Sequence, residues 1–177
     1  MTITATLVIG ADGASVKNGT SDGVTNHEDR AKFLEFRKKF DCILIGGNTF
    51  RNEKYSNPPI PLFVISRSGS GENISPRAAI EKISKLYGEN ILVEAGPTLL
   101  KEMIAAGLID ELHLTITQIT GGENPISFVE LLRNFVITSD ESVAGTRFIS
   151  ATKVAPHQQL RWRCQNIGSG VTARAET

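Results

Sequence analysis

A chain of 177 residues is long enough for one domain with a real core, and 40% hydrophobic residues is far from membrane composition. Lysine plus arginine balances aspartate plus glutamate at 19 each, for a formal net charge of zero, and the basic residues are scattered. That argues against the basic patch of a nucleic-acid binder, and no apolar run is long enough to span a bilayer. Cys42 and Cys164 lie far apart in apolar or strand-like segments, without metal-type spacing. They read as reduced core thiols of a cytoplasmic protein. The N-terminus has no basic stretch followed by a long apolar run, so no signal peptide is expected.

Thr2 to Ile9 alternates and then turns apolar, a first strand ended by Gly10-Ala11-Asp12-Gly13. Residues 14 to 26 read as a loop too long for a simple turn, the kind usually kept for function. His27 to Lys39 is helical, with Phe33, Phe36 and Phe40 on one stripe and Arg37 beside it. Asp41 to Ile45 is a second strand running into Gly46-Gly47-Asn48-Thr49, where glycines let backbone approach a ligand. A short helix is expected over 49–54, then a proline-rich break to Pro61. Leu62 to Ile65 is a third strand, and Ser66-Arg67-Ser68 at its end could clamp a phosphate. A surface turn would give the same three residues. Ser75-Pro76 starts a helix to Tyr87 with Ile80, Ile83 and Leu86 inward.

The stretch 90–107, NILVEAGPTLLKEMIAAG, organises the chain. Ile91 to Val93 is a short buried strand. Pro97 opens a helix that buries Leu99, Leu100, Met103 and Ile104, and Gly107 stops it, the end preferences of a helix. The turn holds Glu94, Ala95 and Gly96. The backbone of residues 97–100, with the positive end of the helix dipole behind it, suits a pyrophosphate. Glu94 stands at the carboxyl end of the strand, where open α/β sheets keep their ligands. A plain strand–helix unit with an exposed glutamate is the bland alternative.

Asp110 to Gln118 is a longer strand in which His113 reads as partly exposed rather than as a base. Ile119 to Asn124 is a glycine-rich loop, and 126–132 is short helix or irregular. Phe135 to Thr138, Thr146 to Val154 and Gln159 to Gln165 read as strands, the last two as a hairpin across Ala155-Pro156-His157. Trp162 faces apolar surface, either core or a subunit contact. Residues 168–177 are small and polar, a frayed tail. Alternating strands and helices followed by a run of strands give a mostly parallel α/β sheet, helices on both faces, with antiparallel C-terminal strands. Four strands end in glycine or polar residues, which points to one shared crevice. The GxGxxG fingerprint after the first strand is absent, so any nucleotide is held by other turns.

The motif Val93-Glu94-Ala95-Gly96-Pro97-Thr98-Leu99-Leu100, followed by Ala106-Gly107-Leu108-Ile109-Asp110-Glu111-Leu112, resembles the reductase domain of bacterial riboflavin biosynthesis. That is the C-terminal half of the bifunctional deaminase/reductase. Asp12-Gly13, residues 25–30 with Arg37, Ile43 to Thr49, and Leu62 to Arg67 fit the same family in the right order, to about residue 155. The resemblance implies a dihydrofolate-reductase-like three-layer α/β/α fold over 1–167. It implies NADPH as cofactor and a pyrimidine- or pteridine-like substrate. A homodimer is expected. Neither metal nor membrane is expected, and the zinc-deaminase pattern is absent.

Carried over, Gly96, Pro97, Thr98, Leu99 and Leu100 would take the pyrophosphate. Gly47, Thr49 and Glu53 would line the cofactor, and Ser66 and Arg67 would hold the adenosine phosphate. Asp12, Ser21, Arg37 and Glu94 would hold substrate, with Glu94 catalytic. The chain departs from the family at Gly23, where a tryptophan is usual, and at Thr6, where lysine is frequent. Asn52-Glu53-Lys54-Tyr55 replaces an acidic pair and an arginine expected on the substrate phosphate. The rival readings are a nucleotide-binding dimeric scaffold without catalysis, and dihydrofolate reductase itself.

Overall fold

The computed structural model describes residues 1–154 apart from 54 and 56. The expected strand 159–165, the turn at 155–157, Trp162, Cys164 and the tail 168–177 lie outside the described residues. Nine strands and five α-helices follow in chain order: β1 (Thr2–Ile9), β2 (Ala14–Val16), α1 (His27–Arg37), β3 (Cys42–Gly46), α2 (Gly47–Asn52), β4 (Leu62–Ile65), α3 (Pro76–Leu86), β5 (Asn90–Val93), α4 (Pro97–Ala105), β6 (Glu111–Ile116), β7 (Glu123–Pro125), α5 (Phe128–Leu132), β8 (Phe135–Val143) and β9 (Thr146–Lys153).

Seven of these strands form one sheet in the order β4-β3-β5-β1-β6-β9-β8. The pairs β3/β4, β3/β5, β1/β5 and β1/β6 are parallel, whereas β6/β9 and β8/β9 are antiparallel. This is the expected mixed sheet, with its antiparallel strands at the C-terminal edge. Alternation along the central strands loads both faces. Cys42, Leu44, Ile91 and Val93 join the larger core with Ala79, Ile80 and Ile83 of α3 and Leu100 and Met103 of α4. Ile43, Ile45 and Leu92 point the other way, against Phe36 and Phe40. Strands buried on both faces read as continuous apolar runs, as CILI and ILV do. Each fully buried side chain such as Leu100 contributes about 2 kcal/mol of apolar burial.

The helix ends follow their sequence signals. Ser75 caps α3, its hydroxyl accepting from Ala78 N at 3.2 Å, with Pro76 in the first turn. Asn26 caps α1 by accepting from Asp29 N at 3.0 Å. Helix α4 closes on Gly107 at φ +66°, where Leu108 N–H reaches Met103 O (2.9 Å) and Gly107 N–H reaches Ile104 O (3.0 Å). That pair of bonds is a Schellman stop.

Three expectations need correction. Residues 14–26 are not all loop: β2 pairs with β7 beside the main sheet, and Ser21–Gly23 makes a short 3-10 turn. A three-residue strand is too short to show a period. Leu86 is exposed rather than inward, because Ala79, Ile80 and Ile83 already fill the buried face of α3. The strand starting at Phe135 continues to Val143 through a bulge near Ile137 and turns into β9 at Ala144-Gly145. Its polar second half, Ser139 to Ser142, hid this extension.

Candidate active site

Parallel strands β3, β4 and β5 end on the same side of the sheet, and their C-terminal turns open into one cleft of about 1460 Å³. The cleft continues beneath α1 to His113 on β6 and Ser150 on β9. A space this long accommodates an extended ligand plus a second, smaller one.

At its centre is the turn after β5. Glu94 N–H still donates to Leu44 O at 3.0 Å, which fixes the backbone to the sheet. Its side chain is only 5% exposed. The carboxylate accepts from Arg37 Nε at 2.7 Å, Arg37 Nη2 at 2.5 Å and Tyr55 Oη at 2.8 Å. Arg37 is the last residue of α1, and its guanidinium lies 4.4 Å from the Phe33 ring and 5.3 Å from the Tyr55 ring. Burial opposes the Arg37 charge, but the bond and charge of Glu94 outweigh it, so its pKa rises. Burial, then the Glu94 charge, pushes the Tyr55 phenol far above its ordinary value, so it stays protonated.

Beside this turn, α4 starts at Gly96 without a side-chain cap. The expected row of free N–H groups from 97 to 100 is shorter than read. Pro97 has none, and Leu100 N–H is bonded to Gly96 O at 3.1 Å. The N–H groups of Thr98 and Leu99 have no protein acceptor among the described residues. Leu100 itself is a core residue, fully buried and off the cleft. Thr49 lies opposite, its hydroxyl accepting from Gly96 N at 3.3 Å. A Cβ on Gly96 would meet no protein atom nearer than 3.6 Å, so the space before the helix start is open.

The strand-end serines follow. Ser66 Oγ lies 3.3 Å from Ser68 Oγ and accepts from Ser68 N at 3.1 Å. The guanidinium among these hydroxyls belongs to Arg51, not to Arg67. Arg51 Nη1 donates to Ser70 Oγ at 2.8 Å and Ser68 Oγ at 3.3 Å, and Nη2 donates to Asn48 Oδ1. Arg67 is 87% exposed and paired with Glu102 at 3.3 Å. Arg67 lies just past the end of β4 and also lines the cleft, with Glu102 beside it.

Ser21 and Glu53, expected on different ligands, hold each other: Ser21 N donates to Glu53 Oε1 at 2.7 Å. Both line the cleft, as do Arg37, Gly47, Thr49, Ser66, Arg67, Glu94, Gly96, Pro97, Thr98 and Leu99. Asp12 does not. Its carboxylate takes Gly121 N at 2.6 Å and Ala14 N at 3.1 Å, and these bonds lower its pKa. It ties two loops together rather than facing a ligand.

The sequence reading missed Tyr55, Arg51 and His113 as cleft residues. Tyr55 sits in irregular chain with no period to mark it. Arg51 could have been found from its spacing to Asn48 on one helix turn, opposite Ser66-x-Ser68-x-Ser70. His113 Nδ1 lies 3.1 Å from Ser150 Oγ and its ring packs 4.7 Å from Phe36; burial lowers its pKa. Among the described residues no group of three His, Cys, Asp or Glu side chains is placed to hold a metal, and no helix is long and apolar enough to cross a membrane.

Comparison with known proteins agrees with this architecture. The RibD C-terminal domain family matches residues 61–143. None of the curated proteins matches the chain in sequence. Among solved structures, the diaminohydroxyphosphoribosylaminopyrimidine deaminase/5-amino-6-(5-phosphoribosylamino)uracil reductase of Thermotoga maritima superposes with a TM-score of 0.68 at 14% identity, over 86% of this chain and 56% of that one. Acinetobacter baumannii RibD gives 0.70 at 14%, over 87% and 58%. A pyrimidine reductase-like protein of Corynebacterium diphtheriae gives 0.70 at 18%, over 87% and 92%. The chain thus spans a little over half the length of the first two. Residues 61–143 carry the sequence pattern of the RibD C-terminal domain, and the chain has the dihydrofolate-reductase-like fold of the RibD reductase domains.

Proposed function

We propose that this protein is an NADPH-dependent reductase acting on 5-amino-6-(5-phosphoribosylamino)uracil or a related pyrimidine- or pteridine-like compound. The observation that carries the reading is the open start of α4, with two N–H groups that meet no acceptor among the described residues, at the meeting point of three strand ends in one long cleft. Such a helix start favours a diphosphate. The residues fit the cofactor at its other charged end too. Arg51 is surrounded by neutral hydroxyls and an amide, with no carboxylate of the described residues paired to it, and offers planar donors to a phosphate.

When bound, NADPH would supply the hydride. The chain's own part is placement. Gly96, Thr98 and Leu99 would hold the diphosphate, and Arg51 with Ser66 and Ser68 the adenosine phosphate. Arg37, Glu94 and Ser21 build the substrate end beneath α1, where Phe33 and Phe36 help exclude water. Placement of reactants in near-attack geometry is a large part of any such rate enhancement. The buried free thiol of Cys42 supports a cytoplasmic location. The exposed Val136 and Ile137 on edge strand β8 support a homodimer.

The test is NADPH binding by fluorescence, then NADPH oxidation with a panel of ribosylaminopyrimidines and dihydrofolate. Binding with turnover of one pyrimidine is the expected result. Binding without turnover on any of them would favour a nucleotide-binding scaffold, and absence of binding would remove the reductase reading altogether.

A further inference from the structure

Alternation along the strands puts a row of polar side chains on the sheet face beneath α1. Leu92 points to that side and pairs with Thr4, so Thr6, two residues on, points there too. Thr6 pairs with His113, His113 with Ser150, and Ser150 with Ser139. These residues therefore stand side by side across β1, β6, β9 and β8, and all of them line the cleft. Toward β3 the same face is apolar, with Ile43, Ile45 and Leu92. The strand backbones here are bonded to one another, so this arm of the cleft addresses a ligand only through side chains.

The hydrogen bonds in the row have a direction. His113 Nε2 faces Glu111 Oε2 at 3.8 Å, and a carboxylate only accepts, so the imidazole proton belongs on Nε2. Nδ1 is then an acceptor, and the Ser150 hydroxyl 3.1 Å away donates to it. Ser150 Oγ makes no other bond among the described residues, so toward the cleft it offers lone pairs and no proton. The Thr6 hydroxyl, in the same row, has no partner among the described residues. The arm also has flat apolar walls. Phe36 packs 4.7 Å from the His113 ring, and Lys32 Nζ is drawn onto the Phe148 ring at 3.8 Å. Glu141, paired with Phe148, adds a carboxylate on the β8 side. Flat walls suit a ring, and acceptors suit a ring edge that carries N–H.

We propose that this arm receives the flat ring of a nitrogen heterocycle and that Ser150 is a specificity-determining residue there, its oxygen accepting from an amino group of the ring while His113 holds its hydroxyl proton. For the identity of that ring as substrate, this rests on the reductase reading above. His113 acts through Ser150 and is a positioning residue. A carbonyl oxygen in place of the amino group would set two acceptors against each other and leave both unpaired. The preference also depends on pH. Once His113 is protonated, its Nδ1–H donates to Ser150, and the Ser150 hydroxyl turns outward as a donor. Burial opposes that protonation, Glu111 on the same strand favours it, and Lys39 just past α1 opposes it.

Pterin and lumazine are a matched pair of flat rings, the first with an amino group where the second has a carbonyl oxygen. Fluorescence titration of the full chain measures both without any turnover. At about pH 7 pterin should bind about three- to tenfold more tightly than lumazine, the scale of one hydrogen bond made against one opposed. Ser150→Ala should erase that ratio, mainly by weakening pterin, and Ser150→Thr, which keeps a hydroxyl, should retain much of it. In the wild type the ratio should narrow as the pH is lowered to about 5, and in Ser150→Ala it should stay flat. With ribosylaminopyrimidines, Ser150→Ala should raise KM for amino-substituted rings with kcat within about twofold, the mark of lost binding rather than lost chemistry. A bond that only braced the sheet would move Tm and leave the ratio and its pH dependence alone.

The proposal is overturned if the wild type binds the two rings equally, prefers lumazine or binds neither, or if the preference survives in Ser150→Ala. Should Ser150→Ala not fold, the wild-type pH titration decides: a ratio that does not change with pH overturns it. The reductase reading fails separately. A pterin preference that Ser150→Ala removes, with no turnover of any substrate, would keep Ser150 in its role and take away only the enzyme.

Discussion

Gly47 and Ser66 stand so close that a Cβ on the glycine would lie 2.3 Å from the Ser66 hydroxyl and 2.7 Å from Ser66 Cβ. The first turn of α2 is thereby pressed against the end of β4, which brings Arg51 to the serines. Gly47→Ala should push Ser66 aside. We expect NADPH affinity to fall by about 1–2 kcal/mol, on the scale of one or two displaced hydrogen bonds. Fluorescence titration measures it, and an unchanged Kd would show that Ser66 is not on the cofactor.

The two arginines make opposite predictions. Arg51→Ala should weaken NADPH by about 1–3 kcal/mol through loss of charge-assisted bonds, while NADH is barely affected. Arg67→Ala should change both far less, because Arg67, at the cleft rim, is 87% exposed and paired with Glu102. Parallel titration with both cofactors checks the pair. An intact preference in Arg51→Ala would break the assignment.

His113 gives a pH prediction with a definite sign. Its pKa is lowered from 6.5 mainly by burial, with Glu111 pulling the other way. The folded state thus holds fewer protons than the unfolded one just below that value. Its contribution to stability is full above pH 6.5 and is lost as pH falls through the depressed value. Thermal unfolding between about pH 7 and 5 should show Tm dropping less in His113→Gln than in the wild type. The lowered carboxyls of Asp12 and Asp140 respond only at more acid pH, outside this window.

At the β8–β9 turn, Ala144 has φ +48° and Gly145 φ +80°. Two successive positive φ values are those of the tight hairpin turn that favours Asn-Gly, and alanine is strained there. Ala144→Asn should stabilise the protein by about 1 kcal/mol in urea unfolding. No gain in the midpoint would mean that the hairpin tip does not limit stability.

What the residues disclosed follows physical lines. The strands β3, β4 and β5 and the helices α3 and α4 were legible because apolar period, capping serine, first-turn proline and closing glycine all agreed. The turn at Glu94–Leu99 was legible for the same reason. The partners of Glu94 were not, since Arg37 and Tyr55 come from distant, weakly patterned chain: α1 has a thin apolar stripe, and Tyr55 lies in no element at all. Arg51 was not legible beside the serines because sequence shows only neighbours in the chain, whereas Arg51 reaches Ser68 and Ser70 from α2, which starts at Gly47. Asp12 showed how a turn acid can be engaged by backbone N–H groups that no linear reading reveals.

The place of β1 in the sheet has a consequence for how the protein is made. It precedes the other strands of its sheet in the chain, yet it sits between β5 and β6 and meets Asn90 and Glu111 in register. Until translation has passed those positions, its hydrogen-bonding edges have no native neighbour on either side. Assembly of the central sheet is therefore a late event in synthesis, and a nascent chain stalled before β5 would show water or a chaperone both edges of β1.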